Sequence, residues 1–152
     1  MIPDDSFRFS VNESTEDDIR PHLFYCDGQF TPRLSERVDL SEYSRKIRAK
    51  AFTFEAWKSR TLVGLVAAYF NIPDSFCYIT NVSVFADYGG RGIANRLLVA
   101  CFDKAKADGV KTVSLEVSKD SHPAIRLYEK FGFQVVEHRG AFIFMQCLLN
   151  VS

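Results

Sequence analysis

The residues best placed to do chemistry lie between Val82 and Leu98, in the stretch VSVFADYGGRGIANRLL. An apolar strand ends at Phe85, glycines stand at Gly89, Gly90 and Gly92, and a helical pattern begins at Ile93. Glycine permits positive φ and a close approach of backbone to ligand, so successive amide N–H groups can converge on one point. The positive end of the following helix dipole adds to those amides, and Arg91 adds a full charge. This is how a phosphate or pyrophosphate cradle is built. The plainer alternative is a glycine-rich turn that only joins strand to helix. Arg91 inside the turn and the short run to the helix favour the cradle.

The elements that must position this turn follow from the hydrophobic pattern. Phe7–Val11 alternates as a short strand, and Ser14 or Thr15 followed by acidic residues starts a helix toward Cys26. Asp27–Leu40, with Gly28 and Pro32, reads as a loop, and a second helix runs from Leu40 or Ser41 to about Lys50. Ala51–Trp57, Leu62–Phe70 and Phe76–Phe85 read as an antiparallel meander with turns at Lys58–Thr61 and Pro73-Asp74. Its middle strand is apolar throughout and so is buried on both faces. Ile93, Leu97, Ala100, Cys101 and Ala105 share one helical face, ending at Asp108-Gly109. Val113–Val117 is a strand, Pro123–Phe131 a helix, and Gln134–His138 with Ala141–Leu149 a terminal hairpin turning at Arg139-Gly140. The order is β-α-α-β-β-β-α-β-α-β-β, a mixed α/β fold around a mostly antiparallel sheet. The strands ending at Phe85 and starting at Val113 flank a helical crossover, which makes them parallel neighbours.

Composition bounds the partners. At 152 residues, 1–152 reads as a single domain able to bury a core. Nineteen basic residues balance nineteen acidic ones, so no broad field favours nucleic acid or a membrane surface, and anion binding has to be local. The four cysteines, Cys26, Cys77, Cys101 and Cys147, fit no metal or CxxC spacing. Cys77 and Cys101 sit in apolar surroundings as buried thiols, which suits a reducing cytoplasm. The start, MIPDDSFRF, has neither the basic segment nor the apolar run of a signal peptide, and no run could span a bilayer.

The glycine turn, Gly89-Gly90-Arg91-Gly92-Ile93-Ala94, and the later segment AIRLYEKFGF (Ala124–Phe133) together resemble the GNAT superfamily of acetyl-CoA-dependent N-acetyltransferases. The first is similar to that family's Arg/Gln-x-x-Gly-x-Gly/Ala cofactor motif, the second to its AxxLYxxxGF signature. The resemblance implies a parallel strand pair that splays apart, Tyr78–Phe85 from Val113–Val117, with the pantetheine arm of acetyl-CoA in the gap. It implies that backbone groups of Val82, Ser83 and Val84 meet the pantetheine amides, and that the turn from Gly89 through Ala94 holds the pyrophosphate. It places Tyr128 where many members have a tyrosine that protonates the departing thiolate and lies against the cofactor. Two positions depart from the pattern. Gly89 stands where Arg or Gln is usual, and Ser121 stands where many members have an asparagine touching the cofactor arm.

That chemistry is acetyl transfer from acetyl-CoA, as co-substrate and without a metal, to the primary amine of a small-molecule acceptor by direct attack. The alternatives are a protein or peptide amine as acceptor, or a non-catalytic acyl-CoA-binding sensor or interaction module. Attack on a thioester needs a neutral amine, a polarised carbonyl and a proton for the sulfur. Tyr128 is read as that donor, or more plainly as a core aromatic beside Ile125 and Phe131. The expected base is a water held by Thr80 or Asn81, or Glu55 or Glu116, each acid having a plainer reading as a hydrogen-bonded strand residue. His22, His122 and His138 form no constellation and read as surface or loop residues. Phe24–Arg48 gathers Arg33, Arg37, Arg45, Lys46 and Arg48 over the acceptor mouth, read first as a solvated face and otherwise as a pocket for an anionic acceptor. A Rossmann-type dinucleotide site is disfavoured, because Asn95 replaces the third glycine and the preceding meander is antiparallel. Monomer and homodimer are both compatible with the pattern.

Overall fold

The computed structural model describes residues 6–149; the Met1–Asp5 start read above for a leader, and Asn150–Ser152, lie outside them. The elements are β1 (Arg8–Val11), α1 (Glu16–Cys26), α2 (Leu40–Lys50), β2 (Phe52–Lys58), β3 (Thr61–Asn71), β4 (Phe76–Val84), α3 (Ile93–Ala107), β5 (Thr112–Ser118), α4 (His122–Lys130), β6 (Gln134–Arg139) and β7 (Phe142–Leu148). Their order is the expected one. The segment between α1 and α2 contains two 3-10 turns, Asp27–Gln29 and Leu34–Glu36, where only a loop was expected. The β2–β3 turn is tighter than expected, because both strands continue into it and Ser59 takes the left-handed conformation at φ 56°.

One seven-stranded sheet runs β1-β2-β3-β4-β5-β7-β6, with β4–β5 parallel and every other pair antiparallel. β3 is the hub, buried from Leu62 to Ala68 because both faces are covered. Its Val63, Val66 and Ala68 join the core beneath α3 and α4, while Leu62, Leu65 and Ala67 join the core beneath α1 and α2. Gly64 lets α3 come down on β3, since a Cβ there would lie 2.9 Å from Ile93 Cγ2. That contact sets the start of α3 directly over the sheet.

The turn of β4 at Thr80 decides the rest. Asn81 pairs with Ala67 and Ile79 with Ala68, leaving Thr80 as an extra, bulged residue. Before the bulge Cys77 and Ile79 face α3; after it Val82 and Val84 take that side. Asn81 and Ser83 are thereby turned toward α1, where Ser83 meets His22 and Asn81 bonds Ser83. A bulge bends its strand and increases the local twist. Parallel pairing with β5 accordingly covers only Phe76–Ile79 against Thr112–Leu115, and the two strands separate beyond.

His22 corrects the expectation of a surface or loop residue: it is buried. Ile19, His22, Leu23 and Cys26 form the inner face of α1. The Leu62 carbonyl, an acceptor only, lies 2.9 Å from Nδ1 and so takes that nitrogen's proton in a hydrogen bond. Nε2 is left to accept from the Ser83 hydroxyl at 2.8 Å, and Asn81 Nδ2 donates to Ser83 Oγ at 2.8 Å. Burial depresses the imidazole to about 4, against an ordinary value of 6.5. The unfolded chain therefore takes up a proton that the fold refuses, so stability is full above pH 6.5 and falls as pH drops toward 4. The limiting loss is about 3 kcal/mol. Denaturant titrations from pH 7.5 to 4.5 should show this slope in the wild type. It should be flattened in His22→Gln; an equal slope in both proteins would contradict the assignment.

Candidate active site

The separation of β4 from β5 opens a cavity of about 330 Å³. Its walls are Ile79–Val84 of β4 and Leu115–Ser118 of β5, with Ser121 and the Ala124, Leu127 and Tyr128 face of α4 behind. Ala94 of α3 closes one end, and Phe30–Pro32, Leu34 and Arg37 cover the other with Phe142 of β7.

The open edge of β4 is set by strand alternation. Phe85 N–H donates to the Val63 carbonyl on β3 at 2.8 Å, so Ser83 and Asn81 turn their backbone groups the same way. Val82 and Val84 then present theirs to the gap. The Gln29 carboxamide, in the orientation that satisfies both its groups, shows what this edge accepts. It donates to the Val84 carbonyl at 3.1 Å and receives the Ala86 N–H at 3.3 Å. A secondary amide of a ligand offers the same two functions. The Ser83 hydroxyl is turned toward His22 and its backbone groups toward β3, so Ser83 sits between the two valines without offering the gap a hydrogen-bonding group.

Past Val84, the turn Ala86–Tyr88 leads into the glycines. Gly89 is extended at φ −65° and ψ 153°, whereas Gly90 and Gly92 take φ of +78° and +77°. A Cβ at Gly90 or Gly92 would meet nothing within 4 Å, so it is the positive φ that calls for glycine there. Gly92 is the N-cap of α3 and supplies no side-chain cap. The first-turn amides, Ile93 and Ala94 among them, thus lack the side-chain partner that usually covers a helix start. The Arg91 guanidinium lies 5.7 Å from the centre of the Tyr88 ring. Arg91, Gly92 and Ile93 also border a separate depression with Phe7, Phe9 and Arg96, on the β1 side of α3.

Tyr128 is 6% exposed and packs edge-on against Phe133 at 5.8 Å between ring centres. It is part of the core and of the cavity wall together. Burial pushes its phenol well above the ordinary range, so it remains protonated. Glu116 is the one carboxylate among the described lining residues. Its Oε1 accepts from Arg37 Nη2 at 2.9 Å, and Arg139 Nη1 lies 3.9 Å from Oε2.

The other candidates are committed elsewhere. Glu55 is fully buried and lies outside the cavity walls. It accepts from Ser10 Oγ (2.6 Å), Thr53 Oγ1 (2.6 Å), the Glu13 and Ser14 amides (3.0 and 2.8 Å) and Ser14 Oγ, tying down the β1–α1 turn. Burial pushes its carboxyl up, but these hydrogen bonds prevail and hold it below its ordinary value. The Tyr43 hydroxyl engages Thr80 twice, donating to its carbonyl and accepting from its Oγ1, each at 2.7 Å. Asn81 Nδ2 donates to Ser83 and to the Leu65 carbonyl, which commits its two N–H groups. His122 and His138 are exposed. All four cysteines are buried and unpaired, and burial pushes the Cys26 thiol up to about 12. Among the described residues no group of three could hold a metal ion, and no helix is long and apolar enough to cross a membrane.

Of the cations read along Phe24–Arg48, only Arg37 reaches the cavity. Arg45 is spent on Glu42, and Lys46 lies over the Tyr69 ring at 5.3 Å. Arg139 and Phe142 escaped the sequence reading; the strand order that puts β7 beside β5 is what brings them here.

Comparison with known proteins agrees with this geometry. The family model described as Acetyltransferase (GNAT) family matches residues 15–133. A mycothiol acetyltransferase from Brachybacterium faecium is 35% identical over 83 residues, which span 53% of this chain but only 25% of that longer protein. The crystal structure of the ribosomal-protein-S18-alanine N-acetyltransferase from Escherichia coli superposes with TM-score 0.79 at 18% identity, covering 97% of this chain and 96% of that one. An N-acetyltransferase from Thermoplasma acidophilum, crystallised in complex with coenzyme A, gives TM-score 0.72 at 13% identity over 93% and 99% of the two chains. The match to the family model extends over more than half of the residues, and both solved structures share the fold: this chain belongs to the acetyltransferase (GNAT) family.

Proposed function

We propose that this protein transfers the acetyl group of acetyl-CoA to a primary amine by direct attack, with Tyr128 and Glu116 as its catalytic residues. One observation carries the reading: a single cavity is lined by an amide-accepting strand edge, a protonated phenol and one carboxylate. Val82 and Val84 would receive the pantetheine through their main chain, with Ser83 between them and Ser121 and Tyr128 lining the same cavity. The turn from Gly89 through Arg91, Gly92, Ile93 and Ala94 would take the pyrophosphate on its amides and on the helix dipole. Gly89 brings no side chain to this task, so the main chain carries the binding.

The amine nitrogen forms a bond to the thioester carbonyl carbon, and the carbon–sulfur bond breaks with its electron pair going to sulfur. Glu116 takes the proton that the amine loses and returns it to solvent. Tyr128, held protonated by burial, donates a hydrogen bond to the sulfur as charge develops. The thiolate of a CoA leaving group is stable enough near neutral pH to depart in that hydrogen bond and acquire its proton on release. A binding-only role leaves the pairing of Tyr128 with Glu116 in one cavity without a purpose. A small-molecule acceptor fits the enclosed volume, with Arg37 and Phe30–Leu34 covering the mouth.

Thiol release from acetyl-CoA with a panel of amines tests the reading. Tyr128→Phe should lower kcat about a hundredfold with the KM for acetyl-CoA nearly unchanged. Glu116→Gln should lower kcat about a hundredfold at neutral pH. Full activity in both variants would refute the assignment. Gly92→Ala should act on binding instead, since a Cβ at that φ costs about 1 kcal/mol. Its KM for acetyl-CoA should rise several-fold, and an unchanged KM would remove the glycine turn from the site.

A further inference from the structure

Glu116 does not face the acceptor mouth alone. The Arg37 guanidinium, from the segment between α1 and α2, crosses to β5 and β7, bonding Glu116 Oε1 at 2.9 Å and lying 3.9 Å above the centre of the Phe142 ring. Arg139 repeats the arrangement one step along β7, 4.3 Å over the Phe144 ring and 3.9 Å from Glu116 Oε2. Stacking fixes each guanidinium plane and leaves N–H donors on its rim. Arg139 is also engaged by Glu137 at 2.8 Å, whereas the one ion pair among the described lining residues is Arg37–Glu116. Arg37 is 40% exposed, so its remaining donors are open to an arriving ligand.

We propose that the acceptor is a free α-amino acid, or a small amine with a carboxylate similarly close to its nitrogen, and that Arg37 is the residue that selects it. The inference rests on Glu116 being the base. A carboxylate and a guanidinium held side by side form a negative–positive pair, and an amino acid presents the opposite pair with one carbon between its charges. Docked head to tail, its nitrogen meets Glu116 and its carboxylate meets the open donors of Arg37, in the paired geometry that a guanidinium favours. The other amine classes fit less well. A polyamine brings further positive charge against Arg37 and Arg139. A peptide N-terminus or an α-carboxamide offers those donors one neutral carbonyl oxygen in place of a charged, two-oxygen acceptor. Arg37 thus acts through the α-carboxylate, away from the reacting atoms, and leaves the Glu116 side open for the nitrogen.

The test compares matched acceptors with one side chain: a free amino acid, its α-carboxamide and the decarboxylated amine, for small, acidic and aromatic side chains. Thiol release from acetyl-CoA is the readout. For the side chain that fits, kcat/KM of the acid should exceed that of the amide by at least about tenfold, mainly through KM. Arg37→Gln should lower the acid's kcat/KM about tenfold more than the amide's, and Arg37→Lys should restore part of the difference. Amides or peptides turned over as well as acids would overturn the inference and leave acetyl transfer standing, as would Arg37→Gln lowering acid and amide alike. The wild-type comparison needs no variant to fold. Absence of turnover with every amine would overturn both this inference and the proposed function.

Discussion

The rest of the structure depends on one interruption of hydrogen bonding, the bulge at Thr80. Up to Ile79, β4 is an ordinary interior strand with β3 on one side and β5 on the other. One extra residue turns it, and the four strand residues that follow, Asn81–Val84, keep β3 but lose β5. An interior strand with an unpaired edge is costly unless something satisfies that edge. Here the Gln29 carboxamide meets part of it. The same bend places α3 and its uncapped start at the far end of the gap, and α4 with Tyr128 across it. The Tyr43 hydroxyl braces the bulged residue from α2 through both its carbonyl and its hydroxyl.

The interruption also sorts the polar residues of β4. With the alternation shifted, Asn81 and Ser83 face α1 and are absorbed into a closed network with the neutral His22. Two valines line the gap in their place. The strand that would bear the ligand is thus held from behind by the hydrogen bonds of His22, Asn81 and Ser83. A similar division separates the two strand-borne glutamates. Glu55 is saturated by donors and fastens the chain near β1. Glu116 meets only guanidinium groups, at a cavity wall, where a ligand can compete for it.

Much of this was legible in the residue pattern. Period-two and period-3.6 runs place every strand and helix, and the shift from the antiparallel meander to a helical crossover forces the parallel pair. Gly90 and Gly92 declare their positive φ through their neighbours. The bulge was not legible, because Ile79-Thr80-Asn81 alternates as well as any regular strand, and only the register against Ala67 and Ala68 exposes the extra residue. His22 was misplaced although its signal was present: Ile19, His22, Leu23 and Cys26 fall on one helical face, where an imidazole is buried if partners exist. The partners are the Leu62 carbonyl and Ser83, forty and sixty-one residues away. Arg139 and Phe142 reach the site only because β7 inserts between β5 and β6, a choice of neighbour that no local pattern encodes.

The central claim is that the unpaired edge of β4 and the uncapped start of α3 form one continuous ligand surface. Amide hydrogen exchange with and without coenzyme A tests it most directly. The account predicts new protection confined to Val82, Val84 and Gly90–Ala94, with the already paired amides of β4, Ser83 and Phe76–Ile79, unchanged. Protection that appeared instead along Phe7–Phe9 and Arg96, with the β4 edge exchanging as before, would contradict it.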